Sequence, residues 1–458
     1  MLCYCALFPK DYEFKKEDLI LLWMTENFTH YGQHSRTPEV VCQQYFNDLL
    51  SRSFFQQPDV NKEVFVMHDL LHDLAKYVGG GLYFRWELGQ TEKVQKITRH
   101  FSVEFKYKNY FDGFGTLCNT ERLRTFVSNA NNRHYYQWSW VMKMSIHELF
   151  SKFKFIRILS MSRYSNLLEF ELPDSIGNLE YLRSLDLSHT AIKRLNEKIC
   201  LLSHLLILKL NSYRCLEELP SNLHLLTNLC RLELMLTKVR KMPPYLGKIK
   251  NLKVVMSSFN VDDDIQQLRE LNLEGSLSIK GLQNVENSLD ALEADLKNKT
   301  HLVALTLQWQ RNQNSIDSKK EEDVIENLQP SGNLKELSIF GYGGKRFPNW
   351  LLDNSLWNMV SLKLTGCQYC QLLPPLGLLP FLKVLEIRKL DGIVSIDGDF
   401  HGNNSCSFKS LETLEFSHMC QWEEWECQAV IGAFPCLRKL SITNCPKLKG
   451  QLPEKVVS

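Results

Sequence analysis

Leu182-Arg183-Ser184-Leu185-Asp186-Leu187 spaces its leucines at the first, fourth and sixth places, and its end alternates apolar with polar. That alternation is the period of a strand with one face buried. The skeleton returns at Leu205/Leu208/Leu210, Leu229/Leu232/Leu234, Leu302/Leu305/Leu307 and Leu334/Leu337/Ile339. It returns again at Met359/Leu362/Leu364, Leu382/Leu385/Ile387, Leu411/Leu414/Phe416 and Leu437/Leu440/Ile442. One such strand cannot bury its own leucines. Stacked neighbours can, and the residues between the leucines then line a long concave sheet open to solvent. Residues 151–458 therefore read as a recognition solenoid and not as a reaction vessel.

Where consecutive units are clear, starts lie roughly 23–32 residues apart, which covers and slightly exceeds the period of leucine-rich repeats. Leu172-Pro173, Leu219-Pro220, Met242-Pro243, Phe347-Pro348, Leu373-Pro374 and Leu452-Pro453 follow strands. Each proline is expected to set an extended convex turn and keep a helix out. Leu195-Asn196 departs from this pattern and predicts a different turn. Leu289, Leu292 and Leu296 before Leu302, and Val324, Ile325 and Leu328 before Leu334, predict convex helices. The unit around Leu273 to Ile279 is degenerate. Cys367 and Cys445 lie just past their strands, at the repeat position that takes Asn or Cys.

Residues 1–81 differ in kind. Leu19, Ile20, Leu22 and Trp23 give a wide apolar stripe over Lys16 to Asn27, hence a buried helix. Thr37-Pro38 reads as the N-cap and first turn of a second helix, whose face is Val41, Tyr45 and Leu49 with Cys42, Phe46 and Leu50. Phe54-Phe55-Gln56 and Val64-Phe65-Val66 flank a turn at Pro58 to Asn61, a hairpin. A third helix runs from about Asp69 to Tyr77 and stops at Gly79-Gly80-Gly81. This order predicts a small, mainly α, winged-helix-like domain ahead of the solenoid, an α/β chain as a whole. Residues 82–150 read as a linker with atypical capping repeats around Phe101 to Val103 and Leu123 to Val127, and Asn129 to Trp140 as a loop.

The 458 residues carry 54 basic and 52 acidic side chains, a formal charge of +2, which gives no support for a nucleic-acid binder working through bulk charge. The helix from Pro38 sets Arg52 beside Glu39 and Asp48, a poor phosphate-neutralising face. No run of eighteen apolar residues appears, so no membrane span is expected. The first ten residues lack the basic stretch of a signal peptide. Fourteen cysteines without such a signal point to reduced thiols in the cytoplasm.

Candidate chemistry is sparse. His68 and His72 are four apart, like the ligands of H-E-x-x-H, but Asp69 stands where the glutamate base belongs and no third ligand is evident. Asp69 reads as a helix N-cap and His72 as a surface or half-buried residue. His68 sits at a helix start, where amides and the dipole favour anions. Cys367-Gln368-Tyr369-Cys370 has metal-like spacing without a second pair, so structural thiols are expected. Gly341 to Arg346 imitates a phosphate loop but lacks its first Gly and its Ser/Thr. No catalytic constellation and no metal site are complete, and no enzyme is expected.

Cys3-Tyr4-Cys5-Ala6-Leu7-Phe8-Pro9-Lys10-Asp11-Tyr12, with Leu19-Ile20-Leu21-Leu22-Trp23-Met24 after it, resembles the end of the nucleotide module of plant disease-resistance receptors of the nucleotide-binding, leucine-rich-repeat (NLR) class, coiled-coil subclass. Met67-His68-Asp69-Leu70-Leu71-His72-Asp73-Leu74-Ala75 is similar to their M-H-D motif, and Leu373-Pro374-Pro375-Leu376-Gly377 to their repeats. The resemblance implies an innate-immunity receptor switched by ADP/ATP exchange. It makes His68 the contact to the ADP β-phosphate and Asp69 the brace of that loop. The repeats would sense a pathogen effector or a modified host protein and help keep the receptor off. It also places the coiled coil and P-loop domain before Met1, as an upstream partner. The chain alone is then expected to bind nucleotide weakly or not at all and to hydrolyse none. The alternative is a stand-alone repeat scaffold that binds protein without nucleotide switching.

The candidates for protein contact are the residues between strand leucines, above all Arg183, Asp186, Arg231, Glu233, Lys335, Lys383 and Glu412, with Trp309, Trp422 and Trp425 just past strands. Mixed charge suits a protein partner. Tryptophan is the residue expected at an interface centre when exposed, with packing into the solenoid as the equal alternative.

Overall fold

The apolar stripes of the first 81 residues meet around Trp23 and Phe46, both fully buried with ring centroids 6.4 Å apart. α1 (Leu2–Cys5), α2 (Lys16–Thr25), α3 (Pro38–Ser51) and α4 (Asp69–Gly79) pack against β1 (Phe14–Lys15), β2 (Phe55–Gln56) and β3 (Val64–Met67), joined in the order β1-β3-β2. The computed structural model describes residues 1–26, 37–58, 64–87, 94–105, 109–111, 117, 122–130, 140–142, 145–164, 171–190, 193–212, 215–239, 241–261, 264–310, 317–352, 355–402, 407–426 and 434–449. Thr37 caps α3, its Oγ1 accepting from the Val40 N–H at 3.4 Å. β2 and β3 pair antiparallel with Phe55 opposite Met67, the predicted hairpin; its tip, residues 59–63, lies outside the described residues. Tyr45, expected on the buried face of α3, is exposed, because the face centres on Cys42 and Phe46.

The chain divides into two compact units, Met1–Leu252 and Lys253–Ser458. In the first, the winged helix is followed by β4 (Tyr83–Trp86), β5 (His100–Phe105), β6 (Asn109–Phe111), β7 (Thr125–Ala130), β8 (Trp140–Met142), β9 (Ile158–Ser160), β10 (Ser184–Asp186), β11 (Ile207–Lys209) and β12 (Arg231–Leu234). β4, β5, β7, β9, β10, β11 and β12 follow one another in a parallel sheet, while β6 and β8 pair apart from it. Its register stacks Phe101, Phe126, Leu159, Leu185, Leu208 and Leu232 into one core column. The stretch read as a loop from Asn129 instead completes β7 and opens β8 at its ends, and its middle, residues 131–139, lies outside the described residues.

The second unit carries β13 (Lys253–Met256), β14 (Ser258–Asn260), β15 (Asn272–Leu273), β16 (Gly275–Lys280), β17 (Leu302–Gln308), β18 (Glu336–Phe340), β19 (Ser361–Thr365), β20 (Val384–Arg388), β21 (Ser395–Ile396), β22 (Thr413–Ser417), β23 (Glu424–Trp425) and β24 (Lys439–Thr443). An eight-stranded parallel sheet runs β14-β16-β17-β18-β19-β20-β22-β24. Its core column is Leu277, Leu305, Leu337, Leu362, Leu385, Leu414 and Leu440. The degenerate unit is where β15 breaks from β16, with a register shift at Gly275/Ser276.

Two residues past the second core position, the backbone turns left-handed in repeat after repeat: His189, Ser212, Leu236, Gly341, Gly366, Lys389 and His418 all have positive φ. At Gly341 a Cβ would lie 2.6 Å from the Trp309 carbonyl oxygen, so glycine is required there. The convex helices predicted before Leu302 and Leu334 are Ser288–Glu293 and Ser318–Asn327. The prolines do not exclude helix: Pro173 is extended and a single 3-10 turn, Asp174–Asn178, starts directly after it. A fixed φ with no N–H to satisfy suits a helix start. Asn196 makes the same turn by capping Glu197–Leu201 with its side chain, so that unit is not the exception its sequence implied.

Candidate functional site

In the first unit the sheet face turned away from the leucine core is covered by the winged helix. Ile158 and Val127, outward by register, are buried within the cluster that contains Trp23, Phe46 and Phe55. Ser102 Oγ donates to the Leu7 carbonyl at 2.6 Å. Glu26, just past α2, is buried; it accepts from Thr125 Oγ1, lies 3.5 Å from His100 Nδ1, and its carbonyl faces Arg157 at 3.4 Å. Burial pushes the Glu26 carboxyl up, but the hydrogen bond and charge of His100 outweigh this and leave it below its usual value.

The start of α2 is gripped further along the sheet. Lys209 on β11 lies 2.6 Å from Asp18 and 3.4 Å from Glu233, and Arg231 on β12 lies 2.8 Å from Glu233 and 3.8 Å from Glu17. Burial lowers the Lys209 ammonium, yet Asp18 and Glu233 outweigh it and raise it above its usual value. Burial raises Asp18 and Glu233; for Asp18 chiefly Lys209, and for Glu233 Lys209 together with Arg231, more than offset that and leave both below their usual values. Arg183 donates to the Thr25 carbonyl at 3.4 Å, the free C-terminal end of α2, where a cation complements the dipole. Cations of the sheet thus hold both ends of the helix, paired with its own carboxylates at the start and with its last carbonyl at the end.

This placement changes the reading of the predicted contact residues. Arg183, Arg231 and Glu233 face the protein's own winged helix rather than open solvent. Asp186 serves its turn, accepting from Ser188 N–H at 2.9 Å and Ser160 Oγ at 3.2 Å. Trp309 is buried with its ring 5.3 Å from Tyr342, and Trp422 is buried against Phe416 with its Nε1 donating to the Glu424 carbonyl at 2.9 Å. Both are packing residues, because the turn after each strand folds back over the core end. Trp425 is partly exposed and packs on Phe416. Lys335, Lys383 and Glu412 sit at strand starts of the second unit, the two lysines exposed and Glu412 partly so, with Lys383 3.1 Å from Glu412.

Lys209, Glu17, Asp18, Glu26 and Arg157 were not singled out by the repeat pattern. A signal was present. Val127, Ile158 and Ile207 occupy outward places where a solvated face would carry polar residues, and all are buried.

At the other side of the winged helix, His68 is exposed and is itself the N-cap of α4. Its Nδ1 accepts from the Leu70 N–H at 3.2 Å, which in the neutral ring leaves Nε2–H as an outward donor. That donor at a helix N-terminus fits a phosphoryl oxygen. Asp69 is the first helical residue and not the cap, and its exposed carboxylate makes no hydrogen bond among the described residues. His72 is buried and its Nε2 lies 2.8 Å from the Phe8 carbonyl, so it points away from His68's ligand side. Leu70, Leu74, Tyr77 and Val78 give α4 an exposed apolar face beside His68. Cys367 and Cys370 are buried thiols bonded to backbone carbonyls, Cys370 to Gly344 at 3.3 Å. Among the described residues no cluster of metal-ligating side chains occurs, and no helix is long and apolar enough to cross a membrane.

A model of the disease resistance protein winged-helix domain matches residues 7–75, and one of the R13L1/DRL21 leucine-rich repeats matches residues 265–390. A disease resistance protein of Arabidopsis thaliana is 37% identical over 99% of this chain and 33% of its own length. The chain carries the winged-helix and leucine-rich-repeat domains of disease-resistance proteins. An RPP13-like disease resistance protein of the same plant is 35% identical over 98% of the chain and 44% of its own length, and disease resistance protein RGA2 of Solanum bulbocastanum is 30% identical over 97% and 43%. The chain thus spans a third to under half the length of these curated relatives. Among solved structures, a leucine-rich-repeat protein of Leptospira interrogans aligns with 70% of this chain and 84% of its own at 18% identity, TM-score 0.42.

Proposed function

We propose that the chain is the winged-helix and repeat portion of a plant immune receptor. Its repeats recognise a pathogen effector or a modified host protein, and its winged helix answers to ADP/ATP exchange in a nucleotide-binding domain seated against α4. The observation that carries this is the grip on α2. Basic side chains from the residue before β10 and from β11 and β12 hold both ends of a helix whose domain also carries His68. A strain on the repeats is therefore transmitted to the winged helix through charge pairs and not through a flexible linker. His68 Nε2–H would donate to the β-phosphate of ADP, and the apolar stripe Leu70, Leu74, Tyr77 and Val78 would seat the partner domain. The nucleotide supplies the anion that this end of α4 recognises; the chain's own residues bind and orient it. One donor and one helix end hold phosphate weakly, so the chain by itself should retain no stoichiometric ADP through gel filtration.

The reading is tested by reversing one charge. With a nucleotide-binding domain supplied, Lys209→Glu should raise cell death in leaf tissue without any effector, and Asp18→Lys on top of it should restore quiet. A Lys209→Glu protein that stays quiet, although hydrogen exchange shows α2 loosened, would overturn the proposal.

A further inference from the structure

On the second unit's outward face, cations and carboxylates pair with one another within and across strands. Glu386 on β20 lies 2.8 Å from Lys363 on β19 and 3.1 Å from Arg388. Glu415 on β22 lies 3.3 Å from Arg388 and 2.5 Å from Lys439 on β24. At the strand starts, Glu412 lies 3.1 Å from Lys383 and 3.7 Å from Arg438. Each of these three carboxylates is shared by two cations.

The layering decides what solvent meets. The side chains of Lys363, Arg388 and Lys439 are 42, 46 and 62% exposed, whereas those of Glu386 and Glu415 are 17 and 19% exposed. Long cationic arms stand proud of short carboxylates at their base. The face is nearly balanced in formal charge yet cationic at its surface.

The first unit shows what such an arrangement accepts. There Glu233 is the recessed carboxylate, Lys209 and Arg231 are its cations, and each cation also reaches a carboxylate of the docked helix. Arg388 and Lys439 stand two strands apart in the order β20-β22-β24, but both tips reach Glu415, which brings them to a separation of the order of the roughly 5–6 Å between helix positions three or four apart. At the strand starts of the second unit, Lys335, Val360, Phe381 and Lys383 line a groove of about 510 Å³. The Phe381 ring there is 55% exposed.

From these features we infer that β19, β20, β22 and β24 form the docking face for an acidic helical segment of a partner protein, with carboxylates three or four apart over Arg388 and Lys439 and one apolar side chain in the groove beside Phe381. The inference rests on the reading of the repeats as a recognition surface and gives that surface a chemistry.

The test uses the full chain and a labelled, hydrocarbon-stapled helical peptide carrying glutamates at i and i+4 and one leucine, read by fluorescence anisotropy. Binding should weaken about tenfold for each cation–carboxylate pair removed, in the Gln-for-Glu peptide and in Arg388→Glu and Lys439→Glu proteins alike. Glu386→Gln/Glu415→Gln, which frees the cations, should bind tighter, an opposite sign that misfolding would not give. Lys209→Glu, outside this face, should leave binding unchanged. Equal binding of the Gln peptide, or indifference to Arg388→Glu, overturns the inference. So does an RNA oligonucleotide that binds more tightly than the peptide through the same residues, which would make the face a polyanion surface. The leaf assay of Lys209→Glu is independent: peptide binding without effector-free cell death would sink the receptor reading alone, and the reverse would sink only this one.

Discussion

The two repeat sheets share one core pattern and differ on their outward faces. In the first unit those places hold Val127, Ile158 and Ile207, with Lys209 and Arg231 at the margin, and a winged helix covers them. In the second, aligned places hold Thr306, Ser338, Lys363, Glu386 and Glu415, and the charges pair with one another. A repeat's identity thus sits in its leucines, while its partner is written in the residues between them. Apolar residues there belong to a permanent intramolecular guest. Exposed paired charges suit a guest that comes and goes, since such pairs are worth at most about 1 kcal/mol each.

The sharpest way to break this contrast is one substitution made on both faces. Ile158→Asp should destabilise the first unit by roughly 3–5 kcal/mol, the cost of a buried unpaired charge, whereas Ser338→Asp should stay within about 0.5 kcal/mol. Denaturant unfolding with hydrogen exchange resolves the two; equal costs would mean the winged helix does not sit on β9.

Acid should separate the faces next. Glu26, Asp18 and Glu233 have folded pKa values below their ordinary ones. A depressed carboxylate adds stability that is complete above its ordinary value, about 4, and lost as pH falls through the lowered value. Exchange at α2 should therefore accelerate on acidification below about pH 4. Glu26→Gln should flatten much of that dependence. An α2 protected equally at neutral and strongly acid pH would speak against the charge grip.

The second unit has its own acid response, from inside. His401 is fully buried among Phe400, Phe408 and Phe434, neither ring nitrogen has a partner among the described residues, and burial lowers its pKa to about 4. The unfolded ring, with a pKa near 6.5, takes its proton first as pH falls. Stability should then decline from about pH 6.5 to 4 and level off below. His401→Leu should remove that slope and, by deleting two unpaired buried nitrogens, add roughly 1–3 kcal/mol at neutral pH. A destabilised His401→Leu protein would show that the ring has a partner.

The smallest effect expected is Lys439→Ala, under about 1 kcal/mol and weaker still at high salt. A larger loss would mean the outward charges hold the second sheet together instead of waiting for a guest.

Much of this was legible in the residues. The leucine spacing gave strand, register column and buried side, and the Thr37-Pro38 cap and the Phe55/Phe65 runs gave the winged helix. Trp309 and Trp422 were not legible, because an indole a few places past a strand packs or projects according to a turn whose direction the local pattern leaves open. His68 was legible as a residue at a helix start, but its capping role displaced Asp69, since both types cap helices and only the backbone angle at 68 (φ −61, ψ 137) distinguishes them.

The sequence by itself determined the repeat, its core and the chemistry available between its leucines, because those follow from a period and from side-chain type. Tertiary structure alone decided which outward face is already occupied. Arg183, Lys209 and Arg231 pair with residues about 160 to 210 positions earlier, a match of charge to charge across folded surfaces that no local period encodes.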